Sequence, residues 1–298
     1  MRGLLKLSLV MAALFAGQPV LACEGDANIR TARLALPSDE SLNVYNAQGV
    51  TLVAPGECSG GLYQIAFPAL LAKAEAGDAK AMDHVGLMLS AGAGVKQDWK
   101  AATKWLAKAS AAGSGEASYR LGIMNQFGLG SSIDPPKAMA HYAAASEKSV
   151  AFASTNLGMM YFQGIGTAKN VPEAVRFFEL ARTQGDHVAT QNLASIFAQG
   201  LDGIAIDEPR AFALAQEAAQ YKITAAMRLL GFFYANGIGV TKDLRNAYLW
   251  AALAAKRGDA PGKQLASRIQ PLLPAGHVAE HDKAVDACAE SGFEDCFK

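Results

Sequence analysis

Gly86, Gly122 and Gly158 stand 36 residues apart, Ala194 continues the series at 36, and Gly231 follows at 37. Six residues after each of these positions comes a further glycine: Gly92, Gly128, Gly164, Gly200 and Gly237. Two residues on stand Gly94, Gly130, Gly166 and Gly239, while the fourth copy reads Gly200-Leu201-Asp202-Gly203, the insertion that turns 36 into 37. A fixed period of this length marks a chain of stacked supersecondary units, none of which can bury its apolar face alone.

The other columns follow the same period. One residue before the first glycine stand Val85, Leu121, Leu157, Leu193 and Leu230, and five before it stand Ala81, Ala117, Ala153, Ala189 and Ala226. Three residues after it come Leu89, Asn125, Tyr161, Phe197 and Tyr234, with Asn125 the one polar lapse. Such spacing returns apolar residues to one helical face and predicts a helix A in each copy. The internal glycine costs about 1 kcal/mol against alanine, acceptable where another helix crosses closely. The Gly-x-Gly then supplies a left-handed C-terminal cap and a tight loop.

A second helix, B, follows. Ala102, Ala138, Ala174, Ala211 and Ala247 share one column, and Ala109, Ala145, Ala181, Ala218 and Ala254 share another. Between them lie Trp105-Leu106, His141-Tyr142, Phe177-Phe178, Leu214-Ala215 and Trp250-Ala251, and Gly113, Gly185 and Gly258 end the helix. The expected units are 79–114, 115–150, 151–186, 187–223 and 224–259. The 59 alanines fit this reading, because alanine is the best helix former and lets helices approach.

Ala-x-x-x-Leu-Gly-x-x-Tyr-x-x-Gly-x-Gly, as at 153–166 and 226–239, followed by Ala-x-x-x-aromatic-x-x-Ala, resembles the Sel-one-like repeat, a relative of the tetratricopeptide repeat. The resemblance covers 79–259, and copy four departs most, with Ala194 for glycine. It implies an all-α, right-handed α/α superhelical solenoid of five helix-turn-helix repeats with capping segments at both ends. It also implies adaptor, regulatory, inhibitory or scaffolding work on a partner protein, including that of a periplasmic immunity protein neutralising a secreted antibacterial effector.

The flanks read as caps. Ala66, Leu70 and Gly77 stand 36 before Ala102, Leu106 and Gly113, so Phe67 to Gly77 is expected to form a lone B-type helix with Pro68 in its first turn. Residues 23–66 are expected to form an N-terminal cap segment, in which 42–53 alternates around Asn46-Ala47-Gln48-Gly49 as expected of a short hairpin. Register decays after Asp259, although 263–273 and 275–289 still read as helices within a C-terminal cap, 260–298.

Residues 1–22 read as a signal peptide. Arg2 and Lys6 form a basic head, Leu7 to Ala16 an apolar run, and Gly17, Gln18 and Pro19 a break before Ala22. The run is about half the roughly 20 residues that a membrane span needs. The expected location is periplasmic or secreted. The cysteines are Cys23, Cys58, Cys288 and Cys296, an even number that suggests disulfides in an oxidising compartment, and local order suggests Cys23–Cys58 and Cys288–Cys296. The rival is a lipoprotein anchored at Cys23 after the lipobox-like Val-Leu-Ala.

Lys and Arg number 27, Asp and Glu also 27, so the charge footprint of a nucleic-acid binder is missing. There is no Gly-x-x-x-x-Gly-Lys, Gly-x-Ser-x-Gly or Ser-x-x-Lys, and no Cys/His zinc spacing. No cofactor or metal is expected, and the chain is expected not to be an enzyme. Two enzyme readings stand as alternatives. A cysteine-rich branch of the resembled family is linked to β-lactam binding and hydrolysis, although its cysteine pair in each repeat is lacking here. His277-Val278-Ala279-Glu280-His281 fits the inverted zinc-hydrolase pattern through His277, Glu280 and His281, but only 17 residues follow for a third ligand. His84, His141 and His187 share no column, and Trp105 with Trp250 read as core.

What remains of helix A forms a second stripe, which lines the concave side in tetratricopeptide-like stacks. Its columns are Lys80, Glu116, Phe152, Val188, Ala225; Asp83, Tyr119, Thr155, Gln191, Arg228; and Leu87, Ile123, Met159, Ser195, Phe232. Residue type changes from copy to copy, as a partner-specific surface would require. Tyr119, Ile123, Phe152, Met159, Gln191, Arg228 and Phe232 are the candidate partner contacts, with Tyr119 and Arg228 as anchors.

Overall fold

The computed structural model describes residues 61–274 and 278–290, which are α-helical apart from loops and one 3-10 turn, with no strand among them. The helices are α1 (Gly61–Glu75), α2 (Ala79–Ala91), α3 (Trp99–Ala111), α4 (Gly115–Phe127), α5 (Pro135–Glu147), α6 (Ala151–Gln163), α7 (Val171–Thr183), α8 (His187–Gln199), α9 (Glu208–Gln220), α10 (Thr224–Asn236), α11 (Leu244–Lys256), α12 (Ala260–Ile269) and α13 (Val278–Glu290). The signal sequence, the 42–53 hairpin, Cys23, Cys58, Cys296 and His277 lie outside the described residues.

The chain divides into two compact units, 1–153 and 154–298. In the first, α1 packs on α2, α2 on α3, α3 on α4 and α4 on α5. In the second, the same order runs from α7 through α12, and α13 packs on α11. Each unit is thus a stack in which every helix covers the next.

The mid-helix glycines explain the stacking. A Cβ on Gly122 would stand 2.5 Å from the Tyr142 ring, one on Gly158 2.6 Å from the Phe178 ring, and one on Gly86 2.6 Å from Leu106 Cγ. Each glycine is therefore the hollow that receives the large residue of its own helix B. In copy four the corresponding columns hold Ala194 and Ala215, both fully buried, so the small-large combination becomes small-small. In copy five Gly231 faces Ala251, and the backbone itself closes to 3.0 Å of the would-be Cβ.

The loops contain a signal that hydrophobic periodicity does not carry. Asp98, Asp134, Asn170, Asp207 and Asp243 form a column of N-caps for the B helices, each side chain accepting a backbone N–H from the first turn. Their own N–H groups donate to Leu89, Asn125, Tyr161, Phe197 and Tyr234, which clamps each loop to helix A. A cap of this kind is worth about 1 kcal/mol. Asn125, the polar lapse, is buried and its amide donates to the Leu121 carbonyl at 2.7 Å. The second glycine of Gly-x-Gly does more than end a helix. A Cβ at Gly130 would meet the Trp99 backbone at 2.9 Å, and one at Gly239 would clash with the Glu208 carbonyl, so this residue admits helix B of the preceding copy.

Four expectations need correction. Helix α1 begins at Gly61, inside the segment read as N-terminal cap, and Pro68 lies within it and not in its first turn. The nearest breaker upstream of the run is the Gly60-Gly61 pair, and nothing from Leu62 to Phe67 stops a helix. Register does not end at Asp259: α12 starts 36 residues after α10, with Asp259 as its N-cap and Gly262 and Ala266 in the Ala226 and Leu230 columns. Helix α12 stops at Ile269 and passes into the 3-10 turn Gln270–Leu272, since Pro271 interrupts the expected 263–273 run. Trp105 is half-buried where Trp250 is core.

Two measurements check this packing. Gly158→Ala is expected to lose about 1–3 kcal/mol in urea denaturation, because the added methyl must displace a fully buried ring. Ser149 takes φ 61° where Gly113 and Gly185 stand in the other copies, a conformation costly for L-residues. Ser149→Gly is expected to gain about 0.5–1 kcal/mol in the same assay.

Candidate protein-interaction face

The stripe on the A helices divides by burial. In the first unit Tyr119 is 7% exposed and Ile123 1%, and Leu87 and Asp83 are buried with them. Tyr119 lies between Tyr142, at 5.8 Å between ring centroids, and Phe152, at 6.4 Å. Ile123 and Tyr119 therefore belong to the packing and have little surface for a partner, which corrects the expectation for both. Phe152 remains open at 39%.

In the second unit the same columns reach solvent. Phe232 is 47% exposed and Val188 43%, with Gln191, Met159 and Ser195 half-buried. The Gln191 amide donates to Ser195 Oγ at 3.0 Å, and the Asn192 amide lies 3.7 Å from the Met159 sulfur. Arg228 is partly committed elsewhere: its Nε lies 2.9 Å from Asp259 Oδ2, a charge contact that ties α10 to the capping residue of α12. It is a seam residue as much as an anchor.

A buried ion pair escaped the sequence reading. Arg120 NH1 reaches both Asp83 oxygens, at 2.8 and 2.9 Å, with the two side chains 1% and 7% exposed. Burial raises the Asp83 pKa, and the Arg120 charge opposes that rise. Removing one partner of such a pair characteristically costs about 3–5 kcal/mol. The residues stand 37 apart, one step off the period, so a scan for opposite charges at the period plus one would have found them. In the second unit, Thr155 in the Asp83 column is also buried and donates to Asp186, the N-cap of α8, at 2.5 Å.

The His187 ring stacks on Tyr221, and burial lowers the His141 pKa. Glu280 is exposed on α13, His277 lies outside the described residues, and no group of three or more His, Cys, Asp or Glu among the described residues could hold a metal ion. Cys288 is buried and disulfide-bonded, its partner lying outside the described residues. No helix among the described residues is long and apolar enough to cross a membrane.

Paired helices that stack in register, with conserved packing columns and a changing exposed stripe, define an α/α repeat protein of the solenoid class. The Sel1 repeat model matches residues 79–114, 115–150, 151–186, 187–220 and 224–259, and the chain belongs to the Sel1 repeat family. Its structure is similar to that of a Sel1 repeat protein from Oxalobacter formigenes, at 28% identity and a TM-score of 0.65, covering 70% of this chain and 82% of that one. It shares its fold with c5321, a protective antigen of uropathogenic Escherichia coli strains, at 22% identity and a TM-score of 0.51, covering 78% and 58%. No curated protein matches. Sel1 repeats are protein-interaction modules, in general scaffolds without enzymatic activity.

His84 supplies a pH test of the first unit. Burial, reinforced by Arg120, lowers its pKa from 6.5 to about 4. A histidine that is harder to protonate when folded stabilises fully above its unfolded pKa, and that contribution is lost as pH falls through 6.5 toward 4. The melting temperature is expected to drop more between about pH 7 and pH 5 in the wild type than in His84→Gln.

Proposed function

We propose that this chain is a non-enzymatic interaction module of the bacterial periplasm, an adaptor, regulator or inhibitor that binds a partner protein through exposed side chains of its A helices. The carrying observation is the exposed pair Val188 and Phe232, with half-buried Gln191 beside them, in columns that change type between copies while the neighbouring packing columns hold. A position free to vary without disturbing the stack can be adapted to a partner. The three A helices at 151–163, 187–199 and 224–236 contain no Asp, Glu or Lys, one Arg and one His. Such a surface favours a partner recognised by apolar contact and amide hydrogen bonds.

The signal-like residues 1–22, the even cysteine count and the disulfide at Cys288 support export. In this reading Cys23–Cys58 and Cys288–Cys296 tie down the two ends, and Cys23 is a disulfide residue and not a lipid anchor.

The test uses Phe232→Asp with Val188→Asp, since both residues are open and Tyr119 is not. Capture of a partner from an envelope extract is expected to be lost, with helical circular dichroism and melting unchanged. Undiminished capture by the double variant would move the site off the A helices of the second unit.

A further inference from the structure

Helix α3 carries Lys100, Lys104 and Lys108 at successive i+4 positions, preceded by Lys96 in the same step, and all four are exposed. The helix contains no acidic residue, and the Asp98 carboxylate before it is used as the N-cap, accepting from Ala101 N at 2.9 Å. None of the four lysines is paired with a carboxylate among the described residues. Lys108 instead places its ammonium 4.2 Å over the Trp105 ring.

Like charges at i+4 repel and weaken a helix, so the fold gains nothing from this row. Stacking does not require it either. In the columns of Lys100, Lys104 and Lys108 the other copies read Pro136, Ala140, Ala144; Pro172, Arg176, Leu180; Pro209, Ala213, Glu217; and Arg245, Leu249, Leu253. Each holds at most one cation.

At the head of the row is a cavity of about 580 Å³, lined by Leu89, Val95 and Trp99, by Lys96 and Lys100, and by Gln97, Asp98 and Gly130. Two of its lining residues are lysines, and its one carboxylate, Asp98, is already engaged as the N-cap of α3. We propose that α3 and this cavity form a docking surface for an acidic segment of a partner protein, with an apolar side chain in the cavity and carboxylates along the lysines.

Charge complementarity sets the sign of the partner, and three features set its class. The row is straight and rigid over about 12 Å from Lys100 to Lys108, which matches carboxylates spaced along a helix. It contains no arginine, the residue suited to bidentate phosphate recognition in nucleic acids and lipid headgroups. Beside the lysines its exposed residues are Ala107 and Ala111, so nothing projects to enter a bilayer. The surface lies on a B helix of the first unit and needs nothing from the A-helix reading of the second.

The full chain is titrated, by fluorescence anisotropy at low salt, with a labelled peptide carrying Glu at three successive i+4 positions and one Leu before them. Binding is expected, weakening with salt as screened charge pairs do. Lys104→Glu is expected to reduce affinity about tenfold or more. This variant keeps the fold, because it replaces two i+4 repulsions by two attractions, and its melting should hold or rise. Phe232→Asp should bind the peptide normally. Unchanged affinity in Lys104→Glu overturns the proposal, as does equal binding of a Gln peptide, or a loss in Phe232→Asp. Tighter binding of phosphatidylglycerol vesicles or duplex DNA than of the peptide would give the row to phosphate surfaces and overturn it equally.

Discussion

Each repeat depends on one contact, a large side chain of helix B resting in the hollow left by a glycine of helix A. Tyr142 against Gly122 and Phe178 against Gly158 set the distance between the paired helices, and that distance decides where the loop, the cap and the next helix can lie. The glycine is unfavourable in its own helix, yet its missing methyl lets a whole ring be buried, which is worth more. Exceptions follow the same rule. Where helix B offers only Ala215, alanine stands in the glycine column as Ala194 and both are fully buried; where it offers Ala251 to Gly231, the backbones close up.

This contact is why so much of the fold could be read from the residues. A glycine and an aromatic that must meet recur at a constant interval, and the alanine and leucine columns around them repeat because each copy solves the same packing problem. Less legible were features that depend on hydrogen bonds and not on apolar pattern. The Asp98 to Asp243 cap column recurs at the same period, but it falls in loops where hydrophobic periodicity is silent. The pair Asp83–Arg120 is hidden for another reason: it joins different columns of neighbouring copies, so neither residue repeats.

The candidate face was legible as a set and not residue by residue. Periodicity assigns a residue to the stripe, yet burial depends on what neighbours contribute. Ile123 and Phe232 share a column and differ from 1% to 47% exposed. Arg228 shows a similar limit, since its charge contact with Asp259 arises from α12, whose membership in the register is carried by a cap and two small residues.

Overall neutrality proved a poor guide to local charge. In the second unit charges on α7 and α9 are joined across neighbouring copies: Arg182 pairs with Glu179 and Glu217, and Arg210 with Glu179. Such a network holds α7 to α9. Helix α3 occupies the same place in its repeat and has three cations without a carboxylate. Both arrangements are compatible with the same buried columns, because the glycine and ring inside do not sense what stands outside. A repeat protein can therefore alter the charge of one copy without renegotiating its fold, and unpaired charge on a single copy is better explained by something that binds there than by the demands of stacking.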